Sequence, residues 1–179
     1  MRPSLVAALV LTLSAPMLCG PALAEPPPSQ RPASLVDFQG FMALTSEVQP
    51  YRASRMVSLE AFHGMAAEAG TLILDARSAD AYRRGHFGGA VNLPLTDFTA
   101  ARLAEVIGPD RNRRILIYCN NNLSDDVDPV PLKVVTLALN IQTFVNLYGY
   151  GYRNIYELSD SVPMADPLVG WVRGPAEPA

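Results

Sequence analysis

The chain has 179 residues, 49% hydrophobic and 17% charged, with 14 basic against 17 acidic side chains and a formal net charge of −3. That balance, with no run or stripe of Lys and Arg, excludes the electrostatic footprint of nucleic-acid binding or of docking on an anionic membrane surface. Of the two cysteines, Cys19 falls within the first 24 residues, read below as a signal peptide, so the expected mature chain keeps one cysteine and two histidines, which argues against a zinc site.

The first 24 residues read as a secretory signal peptide. Arg2 precedes an apolar run from Leu5 to Ala15, then come Pro16 and Pro21 and the small-residue end Ala22 to Ala24. The apolar run falls short of the ~20 residues a membrane span needs, so no stable membrane anchor is expected after cleavage. Cys19 lacks the small residue before it that a lipoprotein site requires. Export to the periplasm or beyond is therefore expected. The remaining 155 residues suit one domain, with 13 basic side chains against 17 acidic once Arg2 is gone. Cys119 would then be the sole cysteine, which rules out an intramolecular disulfide in the mature chain.

Residues 25–34, "EPPPSQRPAS", are Pro-rich and polar and read as an extended tether. Residues 35–55 form a flanking segment, amphipathic from Leu35 to about Gln49 and read as a helix. Strand and helix signals then alternate. "MVS" is a short strand; "SLEAFHGMAAEAG" is a helix capped by Ser58 and stopped by Gly70; "TLILDAR" is a buried strand ending at Asp75. Ser78 caps the helix "SADAYRR", which Gly85 stops. "GAVNLP" is a strand, "TDFTAARLAEVIG" a helix closed by Gly108, and "RRILIYC" the clearest strand. "PLKVVTLALNIQTFVNLYGYG" is predicted as the longest helix, and "RNIYEL" as the last strand; 161–179 are set apart as a tail. This alternation predicts an α/β domain with a mostly parallel sheet and helices on both faces. In such sheets ligands bind beyond the carboxyl ends of the strands, where Asp75 and Cys119 both fall.

A strand that ends at a cysteine and passes through a loop into a helix can surround the sulfur with backbone N–H groups. Those donors and the helix dipole favour the nucleophilic thiolate, and the same cradle accepts an anion. A nucleophile and an anion pocket together are the minimum for group transfer through a covalent cysteine intermediate. A lone cysteine is otherwise often an inert core side chain.

The stretch "LILDARSADAYRRGHFGGAVNLP", Leu72 to Pro94, resembles the opening motif of the rhodanese-like domain. That motif is an apolar strand, D-x-R, a short helix, G-H, then G-A-x-N-x-P. "ILIYC" resembles that family's strand into its catalytic cysteine, and "YGYGYRNIYEL" its closing segment. The resemblance runs over about 56–160 and implies a three-layer α/β domain on a mostly parallel five-stranded sheet. It implies that Cys119 takes up sulfane sulfur as a persulfide and hands it to a thiol or cyanide-like acceptor, with no cofactor. The substrate would be a small sulfur-containing anion or a partner protein's thiol. Asn120, Asn121, Asn122, Leu123 and Ser124, with Asp125 closing the turn, would form the substrate-binding loop. Asp75, Arg77 and His86 read as structural support near it, with Arg77 pairing to Asp80.

The loop departs from that pattern. Active sulfurtransferases usually place a cation about five residues past the cysteine; here the nearest is Lys133, fourteen residues on. No arginine lies between Arg114 and Arg153, which argues against the phosphatases built on the same fold. A carboxylate within ~6 Å of the thiolate would oppose it by about 2–3 kcal/mol at an effective dielectric near 20. A helix terminus offers ~0.3–1 and up to ~2 kcal/mol in return. Asp125, Asp126 and Asp128 are thus expected to point outward, and the three asparagines to offer side-chain donors in place of the missing cation. The alternative is a catalytically inactive rhodanese-fold binding or sensing module in the periplasm.

Overall fold

A computed structural model of the protein describes residues 35–174. The signal-peptide and tether readings fall on residues 1–34, outside the described residues. Five strands, β1 (Met56–Val57), β2 (Leu72–Asp75), β3 (Val91–Asn92), β4 (Ile115–Tyr118) and β5 (Ile155–Leu158), form one sheet in the order β1-β5-β4-β2-β3. Every pairing is parallel, with Leu74 opposite Ile117 and Ile115 opposite Ile155. Parallel strands need crossovers, and the helices α1 (Phe38–Ala53), α2 (Leu59–Ala66), α3 (Ala79–Arg84), α4 (Ala100–Ile107) and α5 (Leu139–Gly149) cover both faces.

Central β4 reads ILIY and all four side chains are buried, as a strand covered on both sides requires. Ile115 and Ile117 pack with Leu103 and Ile107 of α4 and Phe144 and Leu147 of α5. Leu116 and Tyr118 face the other way, onto Leu59 and Phe62 of α2 and onto Phe87, Leu123 and Val169. The caps fall where the sequence puts them: the Ser58 and Ser78 hydroxyls accept from Ala61 N–H and Ala81 N–H, and Gly108 ends α4 at φ 96°.

Two expectations change. Among the described residues the longest helix is α1, with 16 residues, whereas α5 has only 11. The stretch 132–138 is not α-helical: Val134 and Ala138 hold extended backbone around a single 3-10 turn at Val135–Leu137. Two consecutive β-branched valines disfavour helix there, and Asn121 bonds both backbone groups of Lys133, as described below. The segment after β5 also packs closely. Val162 bridges Leu123, Val172 bridges His86, and Val169 is buried.

Helix α1 is joined to the sheet by a charge pair. The Arg52 guanidinium donates two hydrogen bonds to Glu157, a buried carboxylate on β5, and the Tyr51 hydroxyl donates to the Arg153 carbonyl. Breaking a buried pair from one side strands the other charge. Arg52→Met is therefore expected to lower stability by about 3 kcal/mol or more in urea unfolding. Arg52→Met with Glu157→Gln should recover most of that loss, and an unaltered single variant would remove the pair from the account of α1 docking.

Candidate active site

Strand β4 ends at Tyr118, and the next residue, Cys119, lies at the floor of a cleft with 1% of its surface exposed. The cleft has a volume of about 400 Å³. Its walls come from three places: Arg77, Ser78, Ala81 and Arg84 around α3; Asn120 and Asn121 beside the sulfur; and the segment from Asp128 to Leu139.

The backbone N–H groups of Asn140, Asn121 and Leu139 face the Cys119 sulfur and favour its charged form. Leu139 and Asn140 are the first two residues of α5, and this helix has no side-chain cap at Ala138. The sulfur occupies the position where a capping oxygen would satisfy those orphan donors. Even so, burial pushes the Cys119 thiol above its ordinary value; the three N–H groups pull it back down in part, and the Glu157 carboxylate adds to the rise. At neutral pH the resting group is the thiol. Glu157 is a member of the site that the sequence reading missed; its only signal was one acid inside the apolar strand "IYEL".

The asparagine run does different work from that expected of it. Asn120 Nδ2 donates to the Pro131 carbonyl (2.9 Å), while Asn121 donates to the Lys133 carbonyl (2.8 Å) and accepts from the Lys133 N–H (3.1 Å). Asn122 Oδ1 accepts from Cys119 N–H and from Asn140 Nδ2, both at 2.9 Å. Its Nδ2 donates to the carbonyls of Leu158 (2.8 Å) and Asp160 (3.0 Å). These side-chain donors are spent on carbonyls, so they do not replace a cation in front of the sulfur. They tie the long β4–α5 loop together instead, and that tie brings Lys133 to the cleft.

Of the expected binding loop, Asn120 and Asn121 line the cleft beside Cys119, and Asn122 braces it from within the core. Leu123 is fully buried against Val162, Ser124 N–H donates to the Val162 carbonyl, and Asp125 accepts from Met164 N–H. These three stand away from the cleft lining. Asp126 accepts from Leu132 N–H, with its backbone in the left-handed region at φ 49°, which aspartate tolerates better than most residues. Asp128 does line the cleft, where it pairs with Arg84.

Asp75 is wholly buried and receives the Arg77 guanidinium from two nitrogens and the Tyr118 hydroxyl. The expected Arg77–Asp80 pair is absent because Asp80 is taken by Arg83 and Arg84. Desolvation lowers the Arg77 pKa, but the Asp75 carboxylate outweighs it and the net shift is upward; Tyr118 is driven well up by burial and the same carboxylate. His86 stacks on Tyr82 at 3.7 Å and its Nδ1 lies 2.8 Å from the Tyr82 carbonyl, outside the cleft lining. Gly85 is needed for close approach: a Cβ there would sit 2.3 Å from the Trp171 ring, which packs 5.7 Å from the Arg77 guanidinium.

The family model described as the rhodanese-like domain matches residues 58–162. Among solved structures, a thiosulfate sulfurtransferase from Pseudomonas aeruginosa is 20% identical, covering 76% of this chain and 23% of that one, with a TM-score of 0.47. A rhodanese-like domain of a protein from Anabaena is 19% identical over 60% of this chain and 97% of its own, at 0.41. A rhodanese from E. coli, solved with anions, is 22% identical over 58% and 99%, at 0.37. No curated protein matches the chain.

Alkylation of Cys119 by iodoacetamide should be several-fold slower at pH 7 than in the urea-unfolded chain, and should still be rising above the ordinary thiol value of about 8.5. A plateau below pH 7 would contradict the upward shift. Asn122→Ala unpairs Cys119 N–H and two carbonyls at once. It should cost about 2–4 kcal/mol in urea unfolding and accelerate alkylation.

Proposed function

Because the chain belongs to the rhodanese-like domain family, we propose that it is an exported sulfurtransferase. In this reading Cys119 accepts sulfane sulfur as a persulfide and passes it to a thiol or a cyanide-like acceptor. The observation that supports it most directly is the placing of the Cys119 sulfur at a strand end, at the floor of a cleft, facing the N–H groups of Asn121, Leu139 and Asn140. Those dipoles stabilise negative charge wherever it develops, on the attacking sulfur or on the persulfide that results. Export rests on the layout of residues 1–24.

With thiosulfate the step balances without any further reactant. The Cys119 sulfur attacks the sulfane sulfur, the bond between the two thiosulfate sulfurs breaks, and its electron pair leaves as sulfite. The thiol proton ends on the outer sulfur of the new persulfide. Cyanide then takes that sulfur as thiocyanate and Cys119 returns to the thiol. Burial raises the thiol above its ordinary value, so this reading requires no standing thiolate at rest, and the N–H groups around the sulfur favour the charge as the proton leaves.

Intact mass after exposure to thiosulfate tests this. The protein should gain one sulfur atom, lose it to cyanide with thiocyanate released, and gain nothing as Cys119→Ser. Absence of any adduct, with a folded protein, would leave a binding or sensing module on the same fold.

A further inference from the structure

The cleft is larger than a small inorganic sulfur anion requires. Thiosulfate has five non-hydrogen atoms, and at about 30 Å³ for each water-sized group it would leave most of the 400 Å³ to solvent. The charged groups of the lining lie at two depths. Arg77 is 4% exposed, its Nε and Nη2 are engaged by Asp75 and the Gly85 carbonyl, and its Nη1 is buried with no partner. That nitrogen is sealed from the cleft, so Arg77 bears on a ligand there through its charge and not through a hydrogen bond from Nη1. Lys133 is exposed at the rim. Its backbone is pinned in both directions by Asn121, and among the described residues its ammonium group makes no ion pair, whereas Arg84 on the same cleft is already held by Asp80 and Asp128. The remaining lining is largely apolar: Ala81, Pro129, Pro131, Leu137 and Leu139.

We propose that Lys133 forms a second, outer anion subsite of the Cys119 cleft. The sulfur donor is then an organic sulfane-sulfur anion with an apolar body and a distal carboxylate-type group. This rests on the sulfur-transfer reading above and adds the class of donor to it. The reactive sulfur enters toward Cys119 and the Arg77 side, the body lies on the prolines and leucines, and the distal group meets Lys133. Asn121 is a positioning residue in this arrangement, since its amide holds the Lys133 backbone in place. With an arylthiosulfonate as donor, Cys119 attacks the sulfane sulfur, the sulfur–sulfur bond breaks, the electron pair leaves on the sulfinate, and the thiol proton ends on the persulfide.

The test compares how fast thiosulfate, benzenethiosulfonate and 4-carboxybenzenethiosulfonate load Cys119, followed by intact mass. The carboxylated donor should be fastest, by about fivefold over benzenethiosulfonate at low salt, the scale of one exposed ion pair. In Lys133→Ala the ratio of those two rates should fall to near one, and Lys133→Arg should restore it. The Lys133 contacts to Asn121 are made by backbone, so the substitution leaves them in place. Equal rates for all three donors, or a ratio untouched in Lys133→Ala, would overturn the subsite while leaving sulfur transfer intact. A second measurement is independent of turnover. Cys119→Ser protein should bind 4-carboxybenzenesulfinate more tightly than benzenesulfinate in an NMR titration, and lose that preference as Cys119→Ser/Lys133→Ala. If no donor loads Cys119, the sulfur-transfer reading fails and this titration alone decides the anion subsite; equal binding of the two sulfinates overturns it.

Discussion

The Asn122 side chain is the point on which the site depends. It makes four hydrogen bonds, to the Cys119 N–H, to Asn140 at the start of α5, and to the carbonyls of Leu158, the last residue of β5, and of Asp160 beyond it. Parallel strands end with backbone groups that the ladder no longer pairs, and a buried end must find partners for them. One primary amide, with two donors and a two-lone-pair acceptor, does this for β4 and β5 together and fastens α5 to the same place. Each bond is worth about 1 kcal/mol net, but leaving the same groups unpaired in the core costs more. The start of α5 is therefore aimed at the cysteine sulfur as a consequence of satisfying strand ends.

The carboxylates of the loop follow from the same economy of partners. Asp125 and Asp126 are each bonded to a backbone N–H, and Asp128 is paired with Arg84, so their charge is engaged locally. The carboxylate that bears on the sulfur is instead Glu157 of β5, whose charge Arg52 of α1 balances. A helix outside the 58–162 family match thus enters the electrostatics of Cys119, through one buried pair.

Most of the fold was legible because its signals are local. Serine caps, stop glycines and the all-apolar ILIY run are read within a few residues, and their alternation leads to a parallel sheet. The site was legible in its centre and not in its rim. Cys119 could be placed by its strand end alone. The partners of Asn120, Asn121 and Asn122 lie between 3 and 38 residues away along the chain, and no periodicity records which carbonyl an amide will meet. The same holds for Lys133. Fourteen residues of separation counted against it in the sequence, yet the Asn121 amide cancels that distance by pairing with its backbone. The supposed long helix failed for the same reason, since the Asn121 amide holds both backbone groups of Lys133 in the stretch before α5.

These placements give a site with little uncompensated charge at its floor. Arg77 is matched by Asp75 and Glu157 by Arg52, and burial keeps Cys119 protonated at rest. Burying a lone cation beside the sulfur would carry a desolvation cost of several kcal/mol. Neutral N–H dipoles from α5 and Asn121 are already part of the fold and carry no such cost, yet they favour an anion once it arrives. The unpaired positive charge is kept at the exposed rim, on Lys133, where water bears most of its solvation. For an anionic substrate of the kind proposed, the negative charge would be brought by the ligand and met by dipoles already in place, so the loop would need no cation beside the cysteine.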